Sequence, residues 1–149
     1  MALQNFIIFF VKEFVPQLIF EAVLLVRVFW MLHRYRGHTP SDGLRPLLER
    51  LTPAKSTVAA DEARLRKVVL YVDAICSRLP HLSSDACVPR SLTLYHYAQK
   101  FGLDVQWNCG VRKTPDARLE GHAWLTRGEA TFLEPDDRAD GFAVTFRYP

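Results

Sequence analysis

The feature that most constrains the fold of this chain is a change of hydrophobic period at Gly102. Before the glycine, Leu92, Tyr95 and Ala98 recur at helical spacing, and glycine is a natural C-terminal stop for a helix. After it, residues 105–111 alternate with a period of two, which is typical of a half-buried strand. The chain therefore predicts a helix followed by strands, the order of an α+β fold.

The sequence after Gly102 predicts a small antiparallel sheet. A polar loop occupies residues 113–120, and Arg127-Gly128-Glu129 has the composition of a hairpin turn. Short loops of this kind join neighbouring antiparallel strands. The four expected strands lie near residues 104–112, 121–126, 130–134 and 142–147.

The earlier part of the chain has mainly helical patterns. Residues 61–79 carry a helical apolar stripe, and residues 44–51 predict a shorter helix. At 149 residues and 49% hydrophobic, the chain has enough apolar material for a single core. We expect a hydrophobic helical region with its connector at residues 1–60 and a core at residues 61–149, packed as one compact unit.

Cys87 stands where the helix before Gly102 should begin. The segment Ser83-Ser84-Asp85 is suited to cap a helix N-terminus, and Pro89 fits only a first turn. Unpaired amides and the helix dipole favour an anion there, so we expect the thiolate to form more readily than in an ordinary cysteine of pKa about 8.5. A thiolate is a nucleophile, and a base is still needed to form it.

His122, at the start of the second expected strand, is the candidate base. A carboxylate on the paired strand can hold the far nitrogen of the imidazole, fix its tautomer and stabilise the imidazolium. Glu134 ends the strand expected to pair with the histidine strand and is our choice for this role. Asp136 follows Pro135 in an expected loop and is the reserve candidate.

Arg90 and Trp124 are candidate substrate-binding residues. Arg90 lies three residues beyond Cys87 on the same helix face, where it would orient a carboxylate or a substrate carbonyl, or form a structural salt bridge. Trp124 lies two positions beyond His122 and shares its strand face, where it would line the site or pack in the core.

The other cysteines suggest packing rather than chemistry, because a free cysteine often packs as a small hydrophobe. Cys76 lies on the apolar stripe of residues 61–79, and Cys109 shares a strand face with Trp107. Three cysteines cannot all pair internally, and none forms a Cys-x-x-Cys unit. We therefore expect a reducing compartment and no metal site.

The N-terminal segment 6–32 is rich in Phe, Ile, Val and Leu, with Glu13, Gln17 and Glu21 forming one polar stripe. No uncharged apolar run reaches the roughly 18 to 20 residues of a spanning helix, so a transmembrane helix is disfavoured. We expect a packed helix or helical pair, with peripheral membrane contact through residues 6–32 as the alternative. The net charge of +3 is scattered, so no basic patch supports nucleic-acid binding.

Linked motifs in this chain resemble the leader peptidases of lasso-peptide biosynthesis, a transglutaminase-like branch of the papain-type cysteine proteases. These are Asp85-Ala86-Cys87-Val88-Pro89-Arg90-Ser91-Leu92, Gly110-Val111-Arg112-Lys113, Gly121-His122-Ala123-Trp124-Leu125 and Leu133-Glu134-Pro135. They fall in the family's order at similar spacing and span roughly residues 60–149. The resemblance implies a minimal papain- or transglutaminase-like core, with a nucleophile helix packed on a small antiparallel sheet.

The resemblance also implies a reaction and partners. Cys87 would attack the peptide bond at the leader-core junction of a precursor peptide, with His122 as base and then acid, and without metal or cofactor. Relatives commonly place Asp where Glu134 stands. The implied partners are a separate leader-recognition protein and a lasso cyclase that closes the macrolactam, in the bacterial cytoplasm. Acyl transfer to an amine, and a non-catalytic scaffold role, remain open alternatives.

Overall fold

The computed structural model of this chain describes residues 2–36, 43–54, 59–79, 86–134 and 138–149, and side chains from residue 15 onward. The helices within these ranges are α1 (Ala2–Arg34), α2 (Leu44–Leu51), α3 (Glu62–Arg78) and α4 (Cys87–Lys100). The strands are β1 (Gln106–Lys113), β2 (Leu119–Arg127), β3 (Ala130–Phe132) and β4 (Ala143–Tyr148). The predicted α+β class is confirmed, with helices ahead of a small antiparallel sheet.

The four strands form one antiparallel sheet in the order β3-β2-β1-β4. The central β1–β2 hairpin is the longest ladder and runs from the pair Gln106 and Thr126 to the pair Lys113 and Leu119. By contrast, β3 pairs only with residues 125–127 of β2. The β2–β3 ladder therefore does not reach His122. Among the described residues, the part of β2 around His122 is paired with β1 on one side and open on the side of β3.

Helix α4 packs on one face of the sheet. Trp107 of β1 is fully buried, and its indole N–H donates to the hydroxyl of Ser91 on α4 at 2.9 Å. Ala123 and Leu125 of β2 are buried in the same core. Because side chains alternate along a strand, His122 and Trp124 belong to the opposite face.

The ends of α3 and α4 are fixed by local hydrogen bonds. The Asp61 carboxylate accepts from the backbone N–H of Arg64 at 3.0 Å, which caps the start of α3. The Asp61 N–H donates to the carbonyl of Phe101 at 3.0 Å and ties this start to the end of α4. Gly102 has φ +75°, so it ends α4 in the left-handed conformation that glycine adopts without strain.

Helix α1 is a single helix of 33 residues that includes Pro16. Its side chains at every fourth position, Leu24, Val28 and Leu32, are buried in the shared core. Glu21 accepts a hydrogen bond from the Tyr71 hydroxyl at 2.6 Å and pairs with Lys67, both on α3. One side of the expected hydrophobic helix is thus packed against protein.

The rest of α1 is apolar and open. By length and composition alone, Val15–Arg34 is able to cross a membrane, with a mean hydropathy of 1.8. Only 17% of the most apolar part of this segment is buried within the protein. The apolar surface on α1 is therefore much larger than the stripe that packs on α3 and α4.

Candidate active site

Cys87 is the first residue of α4, as the sequence predicts. The preceding residue, Ala86, has no side-chain acceptor, and its carbonyl accepts the first helical hydrogen bond from the Arg90 N–H at 2.8 Å. Pro89 is buried in the first turn, where its missing N–H costs nothing. The predicted caps at residues 83–85 lie outside the described residues.

The surroundings of Cys87 favour a neutral thiol. Burial raises the pKa of the Cys87 thiol above its ordinary value, although backbone N–H groups of Ala123, Val88 and Cys87 itself act in the opposite direction. The negative charge of Glu134 raises the pKa further. The expectation of a lowered pKa was therefore wrong, because desolvation outweighs the helix N-terminus, and the thiol depends on a base for its activation.

His122 and Glu134 are in direct contact. The Nε2–H of His122 donates to the Oε2 of Glu134 at 2.9 Å, and the two side chains are only 11% and 3% exposed. With Nε2 protonated and held by the carboxylate, Nδ1 is the nitrogen left to accept a proton. Because the Cys87 thiol contacts the backbone of Ala123, the next residue after His122, the thiol and the imidazole lie at the same part of β2.

Aromatic rings fix the plane of the His122 imidazole. The Trp124 ring stacks on it with centroids 5.8 Å apart and an interplanar angle of 11°. Phe142, which precedes β4, lies 5.3 Å from the imidazole by ring centroids. The shared strand face predicted for His122 and Trp124 is confirmed, and it restrains the imidazole against rotation.

A backbone turn aims Glu134 at His122. The expected strand 130–134 was too long, because β3 ends at Phe132 and Leu133 adopts a φ of +62°. A branched residue rarely occupies this left-handed region, and such strain often marks functional sites. The turn at Leu133 brings the Glu134 carboxylate back to the open edge of β2 rather than letting it continue along the strand.

Arg90 holds the Glu134 segment from the other side. Its Nη1 donates to Glu134 Oε1 at 3.0 Å, and its Nη2 donates to the Leu133 carbonyl at 3.0 Å. Its Nε donates to Asp73 of α3 at 3.1 Å. The guanidinium is thus engaged by the protein on all three nitrogens, and its pairs with Asp73 and Glu134 correspond to the structural salt-bridge alternative, in which Arg90 also orients the Glu134 carboxylate.

These observations place a half-buried cysteine at a helix start against the backbone of Ala123, the residue next to the histidine of a histidine-carboxylate pair on a four-stranded antiparallel sheet. The family model of the Transglutaminase-like superfamily matches residues 24–147. The chain belongs to this superfamily. No curated protein and no solved structure matches the chain significantly. A Transglutaminase-like domain fits a cysteine peptidase or an acyltransferase.

The other predicted residues of this Transglutaminase-like domain occupy varied settings. Trp124 is 5% exposed, and Asp136 lies outside the described residues. Cys76 and Cys109 are free and half-buried against the core. Among the described residues, no group of three or more His, Cys, Asp or Glu side chains is arranged to hold a metal ion.

Two residues beside the candidate site of this Transglutaminase-like domain were missed in the sequence. Asp73 pairs with Arg90, and the only hint was its helical position one turn before Cys76. Phe142 packs on His122 and beneath the Arg112 guanidinium, which lies 4.3 Å from its ring centroid. No local pattern indicates Phe142, since it reaches the site only because β4 pairs with β1, on the side of β1 away from β2.

Proposed function

We propose that this protein is a cysteine peptidase that removes the leader from a ribosomally made lasso-peptide precursor. The observation that carries the peptidase part is the bond between His122 Nε2 and Glu134 Oε2, with Cys87 beside the same strand at the start of α4. Activation of a thiol by a histidine that a carboxylate orients is the general mechanism of a cysteine nucleophile, and we propose that His122 serves Cys87 in this way. Membership of the superfamily agrees with this chemistry.

The proposed reaction uses Cys87 and His122 in two steps. Nδ1 of His122 takes the thiol proton as Sγ attacks the scissile carbonyl carbon, and the imidazolium then returns a proton to the leaving amine. A thioester remains on Cys87. Water attacks this acyl group and gives up a proton to His122, and the imidazolium then returns that proton to the departing thiolate, which regenerates the thiol. Glu134 holds the imidazole tautomer throughout and stabilises its charged form.

The substrate part of the proposal rests on the sequence motifs around the candidate site. The runs Cys87-Val88-Pro89-Arg90-Ser91-Leu92, Gly110-Val111-Arg112 and His122-Ala123-Trp124 resemble those of lasso-peptide leader peptidases. The substrate would be the leader-core junction of a precursor, presented by a separate leader-recognition protein. A separate cyclase would close the macrolactam after cleavage.

Mass spectrometry of a precursor peptide incubated with its leader-recognition protein and this enzyme tests the proposal. We expect one cleaved bond with the wild type and none with Cys87→Ala. Cys109→Ala is the matched control, because Cys109 is also a free, half-buried cysteine and has no role in the proposed reaction. Equal cleavage by the wild type and Cys87→Ala would contradict the proposal.

Isotope labelling separates hydrolysis from acyl transfer. In water enriched in ¹⁸O, hydrolysis of the thioester adds one labelled oxygen to the new C-terminus of the leader. Transfer to an added amine such as hydroxylamine gives an amide-type product with no labelled oxygen instead. Dominance of the amine product at low amine concentration would identify an acyltransferase.

A further inference from the structure

The side of α1 that faces away from the core is a continuous apolar surface. Its large hydrophobic side chains are between 38% and 64% exposed, with Leu18 and Trp30 the most open. Single exposed apolar residues are ordinary, but a contiguous patch of this kind marks an interaction surface. The members of this apolar face are Val15, Leu18, Ile19, Phe20, Val23, Leu25, Val26, Phe29 and Trp30.

Within residues 15–36, the exposed charged side chains are all basic. Between residues 15 and 36 the only acidic residue is Glu21, which is turned inward to Lys67 and Tyr71 of α3. The basic side chains Arg27, Arg34 and Arg36 are exposed. Among the described side chains of residues 15–36, the exposed charges beside the apolar face are cations, which makes the face complementary to a surface that combines a hydrocarbon layer with anionic headgroups.

The core contacts of α1 determine how it meets such a surface. Val28 and Leu32 are 0% and 1% exposed, packed among residues of α3 and α4, so the helix cannot span a bilayer without leaving the core. Lying in the plane of the interface keeps these contacts and buries the apolar face. We propose that α1 docks the domain on an anionic membrane surface, with the apolar face in the lipid and Arg27 and Arg34 at the headgroups.

A second copy of this chain is a poorer fit to the same surface. A paired apolar face would leave Arg27, Arg34 and Arg36 of both copies at its margin, and between residues 15 and 36 no exposed acidic side chain is present to form ion pairs with them. A lipid bilayer with anionic headgroups supplies both the apolar volume and the opposite charge.

Tryptophan fluorescence provides a local report of docking. Trp107 and Trp124 are buried at 0% and 5% exposure, whereas Trp30 is 62% exposed on the apolar face. Adding vesicles of phosphatidylcholine with roughly one-third phosphatidylglycerol should shift the emission to the blue, and Trp30→Phe should remove the shift but not the binding. Vesicles of phosphatidylcholine alone should bind more weakly. Strong binding that leaves Trp30 emission unchanged would overturn the proposed orientation.

Vesicle sedimentation with matched variants tests the surface itself. Val23→Glu/Val26→Glu places two acidic groups on the apolar face and should weaken binding to the anionic vesicles by about tenfold or more. The control Leu70→Glu puts an acidic group on α3 at a leucine that is 67% exposed, and it should leave binding nearly unchanged. These experiments contain no peptide substrate, so their outcome is independent of the proposed peptidase activity.

Three outcomes would overturn the membrane proposal. The first is binding of Val23→Glu/Val26→Glu that equals the wild type. The second is a wild-type dimer in analytical ultracentrifugation that the same substitution dissociates, without vesicle binding. The third is docking only with a soluble protein partner and never with vesicles.

Discussion

Both oxygens of the Glu134 carboxylate have partners, and this explains why a glutamate fits where relatives of the resembled family commonly have aspartate. Oε2 accepts from His122 at 2.9 Å and Oε1 accepts from Arg90 at 3.0 Å. The longer side chain lets one carboxylate bridge β2 and α4 after the turn at Leu133. The residue-scale geometry therefore favours Glu134 as the carboxylate of the proposed triad.

Replacing Glu134 tests this assignment. Glu134→Gln should lower kcat/KM by about 100-fold or more, because a neutral amide neither fixes the imidazole tautomer nor stabilises the imidazolium as well as a carboxylate. Glu134→Asp shortens the side chain by one methylene and should lose activity to a smaller extent. Steady-state cleavage of the precursor measures both, and thermal unfolding shows whether the variants remain folded. Full activity of Glu134→Gln would remove Glu134 from the mechanism.

The pH dependence of Cys87 alkylation tests the neutral resting thiol. In a Cys76→Ala/Cys109→Ala background, the alkylation rate by iodoacetamide should rise with a midpoint above the ordinary value of about 8.5, because burial and then the Glu134 charge raise the Cys87 pKa. The same chain in denaturant should return to the ordinary midpoint. A midpoint well below that value would instead indicate a preformed thiolate-imidazolium pair.

The same pKa shift has a consequence for stability. A thiol whose pKa is raised by folding holds its proton more tightly in the folded state than in the unfolded state. Its contribution to the free energy of unfolding is therefore fully present below pH about 8.5 and is lost as the pH rises through the folded pKa. Cys87→Ala should remove this part of the decline in stability at alkaline pH.

At the scale of elements, the local patterns predicted well and the long-range contacts did not. The start of α4 at Cys87, its stop at Gly102 and the hairpin at Gly128 follow from residues adjacent in sequence. The turn at Leu133 has no sequence signal, because a leucine with positive φ is held there by tertiary contacts such as the Arg90 hydrogen bond. The position of Phe142 depends likewise on sheet order.

Gly110 lies at a close contact between β1 and β4 that sequence patterns do not indicate. It pairs with His122 across the β1–β2 ladder, and a Cβ at this position would lie 2.5 Å from the Ala143 carbonyl oxygen and 3.1 Å from Trp124. Backbone atoms of β4 cannot retreat as a flexible side chain would. The close approach of β4 to β1 beside the candidate site therefore requires glycine.

Gly110→Ala should destabilise the domain by about 1–3 kcal/mol, because the added methyl overpacks a contact with backbone. The matched control is Gly121→Ala on β2, where an added Cβ has nothing nearer than the Gly110 carbonyl oxygen at 4.0 Å. Denaturant unfolding of the two variants measures the difference. Equal stability of Gly110→Ala and the wild type would show that β4 does not pack this closely on β1.

At the scale of the whole molecule, α1 is part of the folded core rather than an appendage. The superfamily match begins at residue 24, and Leu24 is also the first described residue of α1 that is buried. Val28 and Leu32 continue the same buried stripe against α3 and α4. The helix thus has two functions in this account, since one side completes the core and the other is the proposed membrane surface.

Two substitutions on α1 test this division. Leu32 is 1% exposed, so Leu32→Ala should lower the free energy of unfolding by about 2–5 kcal/mol through lost burial and a residual cavity. Trp30 is 62% exposed, and Trp30→Ala should have little effect on stability in the absence of lipid. Chemical denaturation followed by circular dichroism provides both values. A negligible effect of Leu32→Ala would show that α1 is not integrated into the core.

The most direct test of the central claim is to trap the acyl-enzyme. The protein is mixed with precursor and leader-recognition protein, quenched in acid during turnover, and weighed intact by mass spectrometry. We predict an added mass equal to the leader acyl group, located on the peptide that contains Cys87 and absent from Cys87→Ala. If Cys87→Ala still cleaves the precursor, or if the adduct lies on another residue, the assignment of Cys87 as the nucleophile is contradicted.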